Sequence, residues 1–195
     1  VYKRQQGVSV VELDFRPFVD AAKQLYEGPW VTERYIAMQD ILQKTPDVVW
    51  PVTRQIVTSG QTRKATEVYE SIYQLAALRN ECLTAMSGCD ALLTPTAGKH
   101  FSLDELEADP LGHNQSLGHY TNYMNLLDFC GLAIPGKETD SGRPFGVTLV
   151  GDNFQDMRLL AIAARLESIL HDSHPMQDIP EEERETLAPY KDLSF

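Results

Sequence analysis

The chain has 195 residues, 43% of them hydrophobic and 23% charged, which suits one globular domain or a large piece of one rather than a disordered segment. A formal net charge of −11 offers no basic surface to attract nucleic acid or an anionic membrane. No run approaches the ~18–20 apolar residues that a membrane span requires.

The first five residues, "VYKRQ", are also the translation of GTG-TAT-AAG-AGA-CAG, a string that resembles the end of a transposase adaptor used in sequencing-library preparation. On that reading residues 1–5 are an artefact and are set aside; the other reading is an ordinary basic start of a mature chain. "VSVVELDF" at 8–15 is rich in β-branched residues and predicts a strand. A helix over 17–26 follows, stopped at Gly28, and Pro29 suits the first turn of a second helix because its missing N–H needs no partner there. That second helix carries Val31, Tyr35, Met38 and Leu42 on one stripe and ends before Pro46. Residues 51–58 predict a shorter helix ending near Gly60.

Residues 66–86 predict the longest helix, with Tyr69, Ile72, Leu75, Leu83 and Met86 as its apolar stripe. "DALLTPT" gives a buried strand over 90–94, broken by Pro95, and 97–119 gives a long loop with one helical turn at 103–106. Residues 120–130 are expected to be helical, "LAIP" a short strand, "GKETDSGRP" a turn and "FGVTLVG" a buried strand. A last helix, apolar on most sides and expected to be well covered, runs from Gln155 to about His171. Beyond Pro175 the chain reads as a linker-like tail, acidic in "QDIPEEERE". The domain division is therefore 1–5, then 6–172 as the folded part, then 173–195 as the tail. Strands alternating with helices predict an α/β layer with a mostly parallel or mixed sheet covered by helices. Only about four strands are found, with no Gly-rich phosphate loop after the first, so the sheet is expected to be incomplete in this chain.

The chemistry-bearing motifs are sparse. No GxSxG, GxxxxGK[ST] or HExxH occurs. Cys82, Cys89 and Cys130 form no CxxC, and their odd number fits reduced thiols of a cytosolic protein better than a disulfide framework. The five histidines show no ligand spacing; His171 and His174 sit at a helix end, where capping accounts for them. No metal or cofactor is expected.

"DALLTPT", followed by "YTNYMNLLDFCGLAIPGKETDSGRPFGVTLVG", resembles the C-terminal half of the amidase signature family. "LYEGPWVTER" and "PVTRQI" are similar to stretches of the allophanate hydrolases within it, and the match runs from about Val8 to His171. The resemblance implies hydrolysis of an amide, that of allophanate in ATP-dependent urea degradation, through a Lys–Ser–Ser triad. The family's nucleophile lies in a Gly/Ser-rich stretch of the N-terminal half. None of Ser59, Ser71, Ser87, Ser102, Ser116 or Ser141 stands in a similar context, so no catalytic residue is assigned and the chain alone is expected to be inactive.

What the resemblance does carry over is a substrate-binding Tyr and Arg, at Tyr26 and Arg34. Allophanate is a small planar ureido-carboxylate, and Arg, not Lys, has the planar fork that meets a carboxylate bidentately. Tyr26 falls at a helix end and Arg34 in the second turn of the next helix, so their polar tips can converge across the Gly28-Pro29 corner. The alternative is structural, with Arg34 paired to Glu33 or Glu27 and Tyr26 capping the core. Arg54 is a weaker candidate, and Arg79, inside an apolar stripe, reads as snorkelling or ion-paired. Asn122, Asn125 and Asp128 share a helix face, either a solvated stripe or hydrogen bonds bracing the Ser-rich loop. The implied partners are the small-molecule substrate, a functional link to urea carboxylase and a second copy of the chain. The expected location is the cytoplasm. The other readings are a general amidase, the A subunit of an amidotransferase, and a non-catalytic interaction module.

Overall fold

The computed structural model describes residues 8–136, 138–139 and 141–170. The sequence readings of residues 1–5, of His171 and His174 and of the 173–195 tail lie outside those residues. The chain divides into two compact units, one of Leu13–Ser87 with Ala97–Asp128, the other of Val1–Glu12, Gly88–Thr96 and Phe129–Phe195.

The first unit is helical. Helix α1 (Arg16–Glu27) starts with Pro17 in its first turn and buries Phe18, Ala21 and Leu25. The Phe18 ring meets Tyr123 edge-on with centroids 5.1 Å apart, and Phe15 stacks on Phe18 at 5.1 Å. Such pairs add about 0.5–1.5 kcal/mol beyond burial alone. The helix stops at Gly28, where a Cβ would stand 2.5 Å from the Gln24 carbonyl oxygen. Pro29 turns the chain, its carbonyl accepts the Thr32 N–H at 2.9 Å, and α2 (Val31–Lys44) begins with Val31 fully buried. Helix α3 (Pro51–Thr58) and the 3-10 turn Ser59–Thr62 pack on α2. Gly60 lies so close that a Cβ there would sit 2.7 Å from the Val31 carbonyl oxygen and 2.8 Å from the Thr32 nitrogen. The Thr32 hydroxyl donates to the Gly60 carbonyl at 3.0 Å.

Helix α4 (Ala65–Ala85) buries Ser71, Leu75, Leu78 and Cys82. The expected stripe is shifted: Tyr69 is 61% exposed and Ile72 41%. The packed face includes a serine, which a hydrophobic pattern passes over; its hydroxyl donates to Gln24 Oε1 at 3.3 Å. The 97–119 stretch is not mainly loop. It holds α5 (Leu103–Ala108) and α6 (Pro110–Leu117). Ser102 and Glu105 form a reciprocal capping box for α5, and Asp109 accepts from the Gly112 N–H at 2.9 Å ahead of Pro110 for α6. The helix expected over 120–130 shrinks to α7 (Asn122–Leu126), and Asp128 leaves it with φ 54. Asp128 therefore does not share a helix face with Asn122 and Asn125.

The second unit is a three-stranded sheet of order β1-β3-β2, from β1 (Leu92–Pro95), β2 (Cys130–Pro135) and β3 (Gly146–Gly151). Both ladders are antiparallel, so the parallel pairing expected from the apolar runs is not found among the described strands. The short connection of β2 to β3 brings the chain straight back beside itself, which dictates that direction. Ile134, Val147 and Leu149 pack against Leu159, Ala163 and Leu166 of helix α8 (Asp156–Leu170). Leu92, Thr94, Thr148 and Val150, on the other sheet face, are buried too, which explains why β3 reads as a continuous apolar run. Helix α8 is covered on one side only: Met157 and Leu160 remain 41% and 39% exposed.

The strand expected over 8–15 is not formed. The segment meets no ladder partner among the described residues; Val8 packs on the sheet core while Val11 is 68% exposed. β-branched composition favours extended backbone, but a strand needs a neighbour. Among the described residues no helix is long and apolar enough to cross a membrane.

Gly60→Ala forces the Ser59–Thr62 turn away from the start of α2 and should cost about 1–3 kcal/mol in urea unfolding; an unchanged midpoint would contradict the close approach. Burial raises the Cys82 thiol from its ordinary 9.0 to about 12, with Glu81 adding to the effect, and burial raises the Tyr123 hydroxyl as well. The folded state thus retains protons that the unfolded chain releases, so this stabilisation is whole below 9.0 and is lost as pH rises toward about 12. Unfolding midpoints should fall between about pH 8 and about pH 10.5, and less steeply in Cys82→Ala. An equal slope in that variant would remove Cys82 from the linkage.

Candidate functional site

The helical unit contains an open cavity of about 380 Å³ lined by Tyr26, Arg34, Ala37, Met38, Thr53, Ile56, Val57 and Asn114. Four helices contribute. Tyr26 comes from the last turn of α1, Arg34, Ala37 and Met38 from the first half of α2, Thr53, Ile56 and Val57 from α3, and Asn114 from α6. Its volume falls within the range of small-molecule sites.

The Gly28-Pro29 corner sets the geometry. Val31 is locked into the core, and Arg34, one turn later on α2, returns its guanidinium over the Tyr26 ring, 5.8 Å from the centroid. That contact is of the cation–π kind, worth about 0.5–1 kcal/mol at an exposed site. Arg34 has no carboxylate within ion-pair distance among the described residues, so the structural pairing with Glu33 or Glu27 is not formed there. Its N–H fork remains available beside an apolar wall of Ala37, Met38, Ile56 and Val57. The Tyr26 hydroxyl accepts a hydrogen bond from Asn114 Nδ2 at 3.2 Å. A cation, a hydroxyl and an amide therefore meet at one small cavity, a donor-rich arrangement suited to an oxygen anion.

The other sequence candidates are elsewhere. Arg54 is spent on Asp47 at 3.0 Å, outside the cavity lining. Arg79 is half-buried and donates from Nε to the Leu127 carbonyl at 2.9 Å. Asn122 and Asn125 sit on α7 and do not line the cavity; Asn125 is exposed. Sequence reasoning missed Asn114 and Thr53. Nothing local marks Asn114, although D-P marks the start of the helix that carries it.

Among the described residues, several hydroxyls and thiols are already engaged or buried rather than activated as nucleophiles. The Ser59 hydroxyl donates to the Ile56 carbonyl, Ser71 to Gln24, Ser102 caps α5 and Ser141 pairs with Thr139. Burial holds the thiols of Cys82 and Cys130 above the ordinary thiol range, which disfavours thiolate.

Comparison with known proteins places this geometry in a family. The amidase profile matches residues 4–160. Urea amidolyase of Saccharomyces cerevisiae is 32% identical over 161 residues, 82% of this chain but 9% of that protein. The solved structure of Kluyveromyces lactis allophanate hydrolase superposes with a TM-score of 0.81 at 31% identity, covering 87% of this chain and 28% of that one. The A subunit of glutamyl-tRNA(Gln) amidotransferase from Bdellovibrio bacteriovorus is 29% identical over 115 residues, 55% of this chain and 23% of that protein. The chain therefore spans a small part of the length of each relative, and its helices and sheet form part of the amidase-signature fold. With the profile covering most of its length, the chain belongs to the amidase family.

Proposed function

We propose that this chain supplies the substrate-carboxylate site of an allophanate hydrolase, an enzyme that splits allophanate into ammonia and carbon dioxide. The observation that carries the reading is the pairing of Tyr26 with an Arg34 free of any carboxylate among the described residues, at one small cavity. An Arg fork meets the two carboxylate oxygens in its own plane, and the Tyr26 hydroxyl adds a third donor. The ureido end of the ligand then extends along the apolar wall. In this reading a Lys–Ser–Ser triad performs the acyl transfer, with Ser attack, an acyl-enzyme and release by water, and no residue of this chain is assigned to it. The chain alone is then inactive. Asn122 and Asn125 brace the triad's loop. Residues 6–172 are the amidase portion in this reading and 173–195 a linker-like tail. A cytoplasmic location, a second copy as partner and supply of allophanate by urea carboxylase belong to the same reading. The higher identity and longer coverage of the urea amidolyase match favour it over the amidotransferase reading.

The purified chain should release no ammonia from allophanate; release clearly above background would contradict the assignment of the triad elsewhere. A chimera in which this segment replaces its counterpart in the Kluyveromyces lactis enzyme tests Arg34. Removing one member of a desolvated charge pair costs about 2–5 kcal/mol, because the other is left unpaired. Arg34→Ala and Arg34→Lys should therefore depress kcat/KM for allophanate by orders of magnitude. Turnover of biuret, whose neutral amide replaces the carboxylate, should change little if it occurs. Equal losses on both substrates, or a near-wild-type Arg34→Lys enzyme, would make Arg34 a structural residue.

A further inference from the structure

We propose that Asn114 is a positioning and specificity residue: by donating to the Tyr26 hydroxyl it fixes Tyr26 as a hydrogen-bond donor into the cavity, selecting a carboxylate over a carboxamide. The inference rests on the carboxylate reading of the Tyr26–Arg34 site. A phenol has one proton to give and oxygen lone pairs to receive with. Asn114 Nδ2 occupies a lone pair at 3.2 Å, and no acceptor for the Tyr26 proton lies within hydrogen-bond distance among the described residues. The O–H is thus left for whatever enters the cavity that Tyr26 lines. Accepting a bond also polarises the O–H and makes it a better donor.

The consequence is selectivity by donor count. Arg34 can only donate, and Tyr26, held by Asn114, presents its proton as well. A carboxylate satisfies both with oxygen. A carboxamide placed there turns an NH2 group toward one of two donors and leaves it unpaired, which is costly in a partly desolvated site. Asn114 reaches Tyr26 from α6, whose first turn is capped by Asp109 and led by Pro110. The helix thus holds the amide in place beside the Tyr26 hydroxyl.

The test is a double-mutant cycle by isothermal titration of the full 195-residue chain with allophanate and with biuret. Asn114→Ala should weaken allophanate binding roughly three- to tenfold, the scale of one lost neutral hydrogen bond. In a Tyr26→Phe background the same change should have no further effect, because no hydroxyl remains to orient. Asn114→Asp, an acceptor, should pull the Tyr26 proton away from the cavity. It should weaken allophanate more than Asn114→Ala does while weakening biuret less. Circular dichroism melts of each variant monitor folding, and Asn114→Asp keeps the test open if Asn114→Ala unfolds. An equal loss from Asn114→Ala with and without the Tyr26 hydroxyl would overturn the positioning role, as would no loss at all. If Arg34→Lys weakens allophanate while Asn114→Ala does not, the carboxylate reading survives and only the Asn114 role falls. Failure of the wild-type chain to bind allophanate would overturn both.

Discussion

The site depends on two close backbone approaches, one at the end of α1 and one against the start of α2. Gly28 lets α1 end against its own Gln24 carbonyl, and Gly60 lets the Ser59–Thr62 turn lie directly on Val31 and Thr32. Neither position has room for a Cβ. Between them they fix where α2 begins and which way it turns. Since Arg34 stands one turn inside that helix, the same packing sets its guanidinium over the Tyr26 ring, on an exposed side chain.

A cation held this way is well suited to anion recognition. The ring face steadies the guanidinium without consuming its N–H groups, as a partner carboxylate would. The contrast with Arg54 is instructive: its charge is answered by Asp47 and it lies outside the cavity. In a chain with net charge −11, a local cation facing an apolar wall is also the feature that lets a small anion approach against the overall field. The sheet unit contributes differently. Its β3 is buried on both faces and serves as scaffold, with the Thr148 hydroxyl satisfied by Thr96 at 3.0 Å.

Much of this could be read from the residues. The Pro and Gly punctuation around α1, α2 and α3 placed their ends within a residue or two, because those residues act through local backbone geometry. Tyr26 and Arg34 were legible through the "LYEGPWVTER" stretch, and their convergence followed from the corner between two helices. What failed depended on partners distant in sequence. The β-branched run at 8–15 has the composition of a strand but no neighbour to pair with among the described residues. The packed face of α4 includes Ser71, which bonds Gln24 forty-seven residues away, and so lies off the apolar stripe. Asn114 was invisible because only the fold brings it to Tyr26, eighty-eight residues away. The caps of α5 and α6 were present in the sequence and were outweighed by the Gly, Pro, Asp and Asn content of the surrounding stretch.

Whether the Tyr26–Arg34 cavity receives a carboxylate is decided by a crystal structure of the chain with allophanate. The carboxylate is expected in the plane of the Arg34 guanidinium with two N–H···O contacts near ~2.8 Å, and one of its oxygens accepting from the Tyr26 hydroxyl. Allophanate bound with its amide end at Arg34, or bound away from this cavity, would rule the carboxylate site out.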